Sequence, residues 1–172
     1  GSSANDCITG NLGDDILVGG AGDDVLEGGA SDDLYVFNRG DGADTLIDEA
    51  AEGAGNTVQF GLGITMDDLS LSLEGGTLVL SVGAQGDALR FDDFDPQYYP
   101  VETFRFADGS SVSFAELFAG LGVNISGTPG DDTLTGTDVM DMISGGEGND
   151  LLAGGGGDDG YIFNVGDGVD VA

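Results

Sequence analysis

Two hydrophobic rhythms divide the chain. Over residues 1–36 and again over 127–162, one large apolar residue recurs every nine positions: Ile8, Leu17, Leu26 and Tyr35, then Leu134, Ile143, Leu152 and Tyr161. Nine matches no helical period, but an isolated x-U-x tripeptide sends one side chain inward and two outward, as a short strand does. Each unit thus offers one inward side chain, with a polar, glycine-rich stretch before the next. Between these blocks the rhythm changes. TVQF at 57–60 reads as a strand, and LSLSLEGGTLVLSV at 69–82 alternates across Gly75-Gly76 as a hairpin does. ALRF at 88–91 predicts another strand, and VETFRFADGSSVSF at 101–114 a second hairpin turning at Asp108-Gly109. Ser113 and Glu116 have capping-box spacing and predict a short helix, while Thr65 with Asp67 and Asp68 opens a helical turn. Phe60, Phe91, Phe94, Phe104 and Phe106 are expected to form a satellite core, with the segment covering an open ladder edge of a neighbouring sheet.

Aligned from Gly1, the first block reads GSSANDCIT, GNLGDDILV, GGAGDDVLE, GGASDDLYV. Aligned from Gly127, the second reads GTPGDDTLT, GTDVMDMIS, GGEGNDLLA, GGGGDDGYI. Every unit carries Asp at position six and an apolar residue at position eight. Matching tails follow, YVFNRGDGADTL from Tyr35 and YIFNVGDGVDVA from Tyr161, so residues 127–172 align with 1–46 without a gap. This longer period reads as one complete unit and the opening of the next, a piece of a larger protein with tandem units; a single duplication is the plainer alternative.

Charge sharpens the picture. The formal net charge is −30, with three basic residues, no His, no Trp and a single Cys, Cys7. Nucleic acid and anionic membranes repel such a chain. A hydrophobic content of 40% argues against plain acidic disorder. One Cys gives no disulfide framework, and the lack of His removes ordinary zinc and haem sites. No apolar stretch reaches the length of a membrane span. What remains is a polycation or a metal ion. Carboxylates with backbone carbonyls are hard oxygen donors that suit Ca²⁺, which accepts six to eight of them in irregular geometry.

The units follow G-G-x-G-x-D-x-U-x and are identified as resembling the RTX calcium-binding nonapeptides. The resemblance implies an all-β fold: two parallel β-roll blocks separated by an antiparallel β-rich segment with a short helix. The expected divisions are 1–47, 48–126 and 127–172, the last truncated. In a β-roll two units make one coil, so stacking places Asp6 with Asp24, Asp15 with Asp33, Asp132 with Asp150, and Asp141 with Asp159. The tails place Asp44 over Asp24 and Asp170 over Asp150 after a two-residue slip. These ten aspartates are the expected ligands, for about three ions per block. The position-five residues Asn5, Asp14, Asp23, Asp32, Asp131, Asn149 and Asp158 are read as turn-stabilising or solvated. Ala4, Ser31 and Met140 depart from the consensus and mark weaker sites. Tyr35 and Tyr161 are expected to seal the ends of the rolls.

The same resemblance implies a secreted bacterial protein exported by type I secretion machinery, folding on extracellular calcium. No membrane insertion is expected, and the chain is read as a monomer. FDDFDPQYYP at 91–100 supports a rival reading, an adhesive or carbohydrate-binding module with a ligand site near residues 92–99 built on Asp92, Asp93, Asp95, Phe94, Tyr98 and Tyr99. A packed surface loop is the simpler account of that stretch. No nucleophile paired with a base and no phosphate loop point to an enzyme.

Overall fold

Every nine-residue unit delivers its x-U-x tripeptide into a strand. A computed structural model describes residues 1–48, 55–92 and 99–172. The first block gives β1 (Cys7–Leu12), β2 (Ile16–Val18), β3 (Val25–Ala30), β4 (Leu34–Phe37) and the closing β5 (Ala43–Ile47). Strands two units apart pair in parallel, Ile8 opposite Leu26 and Leu17 opposite Tyr35. The slip at the tail is present, with Leu26 opposite Leu46. β1 and β3 reach six residues rather than three, because their pairing continues through Asn11–Gly29 and Leu12–Ala30 into the following unit.

The intervening segment extends this roll. β6 (Thr57–Phe60) lies parallel to β4, with Val58 opposite Tyr35 and Phe60 opposite Phe37. Tyr35 is therefore an interior residue, 1% exposed, and not the end seal that the sequence predicts. β7 (Leu69–Glu74) and β8 (Thr77–Val82) form the expected hairpin. Gly75 and Gly76 take φ of 59° and 96°, the pair of positive values a two-residue hairpin turn needs. β9 (Asp87–Phe91) completes a meander, and β10 (Thr103–Arg105) and β11 (Ser111–Ser113) form the second hairpin. The helix α1 (Phe114–Leu121) starts at a capping box: Ser113 Oγ accepts from the Glu116 N–H at 3.2 Å, and the Glu116 carboxylate accepts from the Ser113 N–H at 2.9 Å. One 3₁₀ turn, Met66–Asp68, follows Thr65. Among the described residues no helix is long and apolar enough to cross a membrane.

β12 (Val123–Ser126) then leads into the second block, with β13 (Thr133–Thr135), β14 (Asp141–Ser144), β15 (Leu151–Ala153) and β16 (Gly160–Ile162). One sheet of nine strands runs through everything, in the order β1-β3-β5-β9-β8-β7-β12-β14-β16. A five-stranded sheet, β11-β10-β6-β4-β2, and the pair β13-β15 form the opposing walls. The meander thus covers two ladder edges: β9 pairs in parallel with β5, and β7 in parallel with β12.

The two blocks use opposite walls. Units one and three of the first block supply β1 and β3 to the long sheet, whereas units two and four of the second supply β14 and β16. β12 causes the exchange. Its Ile125 lies opposite Ile143, taking the long-sheet place ahead of unit two, although Val123 stands where a nonapeptide would carry Asp.

The core is continuous rather than divided between rolls and satellite. Leu17, Leu26 and Leu46 join Phe60, Phe91, Phe104 and Phe106, and these reach Ile125, Ile143 and Leu152 in one cluster. Phe60 meets Phe37 edge-on at 6.4 Å and stacks on Phe104 at 6.0 Å. Ile8 and Leu134, in the first coil of each block, are only partly buried. Of the rival ligand stretch, Asp93, Phe94, Asp95 and Tyr98 lie outside the described residues. Tyr99 stacks on Phe114 at 4.3 Å, and exposed Asp92 accepts from the Thr77 hydroxyl at 2.8 Å. Arg39 pairs with Asp68 at 2.7 Å and Arg90 with Glu74 at 3.6 Å. Cys7 is exposed and free.

Candidate metal centre

Stacking one coil on the next lines up the turns, and position six forms rows. Asp6, Asp24 and Asp44 make one row, Asp15 and Asp33 a second, Asp132, Asp150 and Asp170 a third, and Asp141 with Asp159 a fourth. In each neighbouring pair the later carboxylate accepts, through Oδ1, the N–H of the earlier aspartate. The distances are 2.7 Å for Asp6–Asp24, 2.8 Å for Asp15–Asp33 and 3.0 Å for Asp24–Asp44. In the second block they are 2.9 Å for Asp132–Asp150, 3.1 Å for Asp141–Asp159 and 3.0 Å for Asp150–Asp170. The structure thus brings together every pair that the coil period predicts.

One oxygen of each carboxylate therefore holds the coil spacing, which leaves the other to be accounted for. Oδ2 of Asp15, Asp24, Asp33, Asp44 and Asp150 is buried and has no hydrogen-bond partner. Burying a charged oxygen without a partner is costly, so such atoms call for a cation. The electrostatics agree. Burial, opposed by the Asp24 N–H bond and reinforced by the Asp24 charge, pushes the Asp44 carboxyl up to about 7. Burial likewise raises Asp33 and Asp141 above the usual carboxylate range.

The position-one glycines show where the Oδ2 atom of each nonapeptide's position-six Asp points, partnered or not. A Cβ built on Gly1, Gly10, Gly127 or Gly136 would fall against the Oδ2 of its own unit's position-six Asp and against the carbonyl of the glycine one coil later. Those carbonyls belong to Gly19, Gly28, Gly145 and Gly154. On Gly19 and Gly145 the Cβ would collide with Asp24 and Asp150. None of these glycines has a positive φ, so it is space and not backbone freedom that requires glycine here. Carboxylate and carbonyl oxygens converge on a cradle that a single methyl group would fill. Among the described residues no three acidic side chains meet at a point, so backbone carbonyls and water are the oxygens left to complete any coordination shell. This is an oxygen-only donor set of the kind calcium accepts, and the residues present fit it.

Position five behaves differently. Its side chains are exposed and point the other way along the roll. Asn5 accepts from the Asp23 N–H at 3.0 Å, Asp23 from Ala43 at 3.0 Å, and Asp131 from Asn149 at 2.9 Å. They tie each turn to the next coil at the surface. Position two modifies the cradle. In the two Thr units, Asp132 Oδ2 accepts the Thr128 N–H at 2.7 Å, and Asp141 Oδ2 the Thr137 N–H at 2.6 Å, with each Thr hydroxyl adding a further bond. Asp6 Oδ2 similarly accepts from the Ser2 N–H at 2.5 Å.

Sequence reasoning misses one member of the second row. Asn56, 1% exposed, occupies the place after Asp33 and accepts the Asp33 N–H at 2.7 Å. Its second arm is an amide N–H, which donates to the Pro100 carbonyl at 3.0 Å. The signal was weak but present: Asn56 and Val58 stand in the six-to-eight relation of a nonapeptide, shifted out of frame by an insertion.

No curated protein matches the chain. A crystal structure of the extracellular lipase LipA from Serratia marcescens aligns with 95% of this chain at 23% identity and a TM-score of 0.25. The chain spans 28% of that lipase. The model of the RTX calcium-binding nonapeptide repeat matches four times, at residues 1–35, 9–46, 126–161 and 135–171. Together these matches cover more than half of the chain and take in all ten row aspartates, from Asp6 to Asp44 and from Asp132 to Asp170. The chain therefore belongs to the family of RTX calcium-binding repeats.

Proposed function

We propose that the chain is a calcium-conditional folding module of a larger secreted bacterial protein, with roll blocks at 1–47 and 127–172 and a β-rich segment at 48–126 between them. The observation that carries this is the set of buried, unpartnered Oδ2 atoms, of which those of Asp15, Asp24, Asp33 and Asp150 lie against position-one glycines. When bound, calcium supplies the positive charge that lets adjacent acidic turns approach. Asp6, Asp15, Asp24, Asp33, Asp44, Asp132, Asp141, Asp150, Asp159 and Asp170 hold it, for about three ions per block. Each nonapeptide buries a single side chain, too little to offset the ordering of nine residues rich in glycine. Metal binding and folding are then one equilibrium.

The physical sense of such coupling is export. Where calcium is scarce, a charge of −30 keeps the chain extended and threadable through a type I secretion channel. At extracellular calcium the turns close, and a folded segment cannot slip back. Affinity graded by position two fits this use. Asp132 and Asp141, already engaged by Thr128 and Thr137, bind more weakly than Asp24 and Asp150. Far-ultraviolet circular dichroism tests the proposal: strand signal appears during a calcium titration and is absent in excess chelator. Full strand content in chelator would refute it.

A further inference from the structure

At Gly28 the cradle departs from its counterparts. In the four complete cradles, the oxygen facing the position-six carboxylate is a glycine carbonyl from the next coil. After Gly28 the chain leaves the nonapeptide frame, and no such glycine follows. A Cβ on Gly28 would instead meet Asp33 Oδ2, the Tyr35 hydroxyl and, at 2.8 Å, Asp48 Oδ2. A carboxylate has taken the place of the missing carbonyl.

The surroundings fix that carboxylate. The Tyr35 hydroxyl donates to Asp48 Oδ2 at 2.5 Å and accepts the Gly28 N–H at 3.0 Å, so one phenol orients both the side chain and the glycine. Asp33 is 2% exposed, and its Oδ2 has no hydrogen-bond partner. Asn56 cannot supply a second anionic oxygen, because its remaining arm is an N–H donor committed to Pro100.

We infer that Asp33 and Asp48, with the Tyr35 hydroxyl as orienting group, form a further calcium site at the junction of the first roll and the inter-block segment. It lies outside the nonapeptide frame and has the Asp48 carboxylate where the complete cradles have a glycine carbonyl. The inference rests on the reading that position-six aspartates hold calcium, and it deepens that reading. An ion here joins the last repeat of the roll to Asp48, beyond the repeats, so calcium also reports that the roll is correctly closed.

Two measurements on the full chain test it. In calorimetric titration with calcium chloride, Asp48→Asn binds one ion fewer than the parent, and Asp24→Asn loses ions from the other row. An unchanged count for Asp48→Asn overturns this site, while an unchanged count for Asp24→Asn overturns the broader reading beneath it. The second measurement uses terbium(III) as the probe, excited through tyrosine. Tyr35→Phe, which removes the phenol facing the site both as orienting group and as sensitiser, lowers the emission at least as much as Asp48→Asn, and the double variant lowers it no further than Tyr35→Phe alone. Additive losses, or no loss in Tyr35→Phe, overturn the site even where Asp48→Asn folds poorly.

Discussion

Adding one methyl group separates the ion cradle from the backbone that frames it. Gly19→Ala and Gly130→Ala are the same chemical change at glycines without positive φ. On Gly19 the new Cβ collides with Asp24 Oδ2 and touches its Cβ and Cγ at 3.1 Å; on Gly130 it meets nothing within 4 Å. Ala at Gly130 lowers the entropy of the unfolded chain and stabilises by about 0.4–1 kcal/mol. Ala at Gly19 removes an ion site, and an ion held at ten times its dissociation constant contributes about 1.4 kcal/mol through linkage. For a chain of this size that difference lowers the thermal midpoint by roughly 3–6 °C in saturating calcium. Calorimetry counts the ions and thermal circular dichroism reads the midpoint. The reasoning fails if Gly19→Ala binds as many ions as the parent, or if both variants shift the midpoint in the same direction.

Asp24→Asn lowers the ion count and raises the calcium needed for folding, whereas Asp14→Asn, an exposed position-five change, leaves the count unaltered in the same titration. Phe37→Ala removes a ring that is 1% exposed against Phe60 and destabilises by about 3–5 kcal/mol, while Phe163→Ala, its counterpart at 53% exposure, stays within about 0.5 kcal/mol. Denaturant midpoints in calcium distinguish the two, and equal shifts would contradict the one-core description. Ser113→Ala deletes the helix cap and costs about 1 kcal/mol with the ion count preserved, measured by thermal melting alongside calorimetry.

What could be read in advance was local or strictly periodic. The x-U-x tripeptides, the Gly75-Gly76 turn and the Ser113–Glu116 box each state their own geometry within a few residues, and an 18-residue coil places Asp15 against Asp33 by counting. The long sheet could not be read this way. Pairing β5 with β9 and β7 with β12 depends on which edges remain open after the rolls form, and no residue of those strands specifies its partner. Tyr35 lies inside because β6 stacks on β4, a neighbour that nothing in its own nonapeptide announces. Asn56 and Asp48 stayed hidden because an insertion of irregular length precedes the one and surrounds the other. Val123 breaks the Asp register at the strand that sets the wall of the second block.

That exchange of walls governs how further units would join. Were the 126-residue period to continue, the next meander would attach to the wall holding β13 and β15, which the present one bypasses. Successive long sheets would then alternate from side to side, like courses of brick laid in running bond. Tension along such a filament would be passed from each sheet to the next through the packed interior of a roll, with no single seam of hydrogen bonds running its full length.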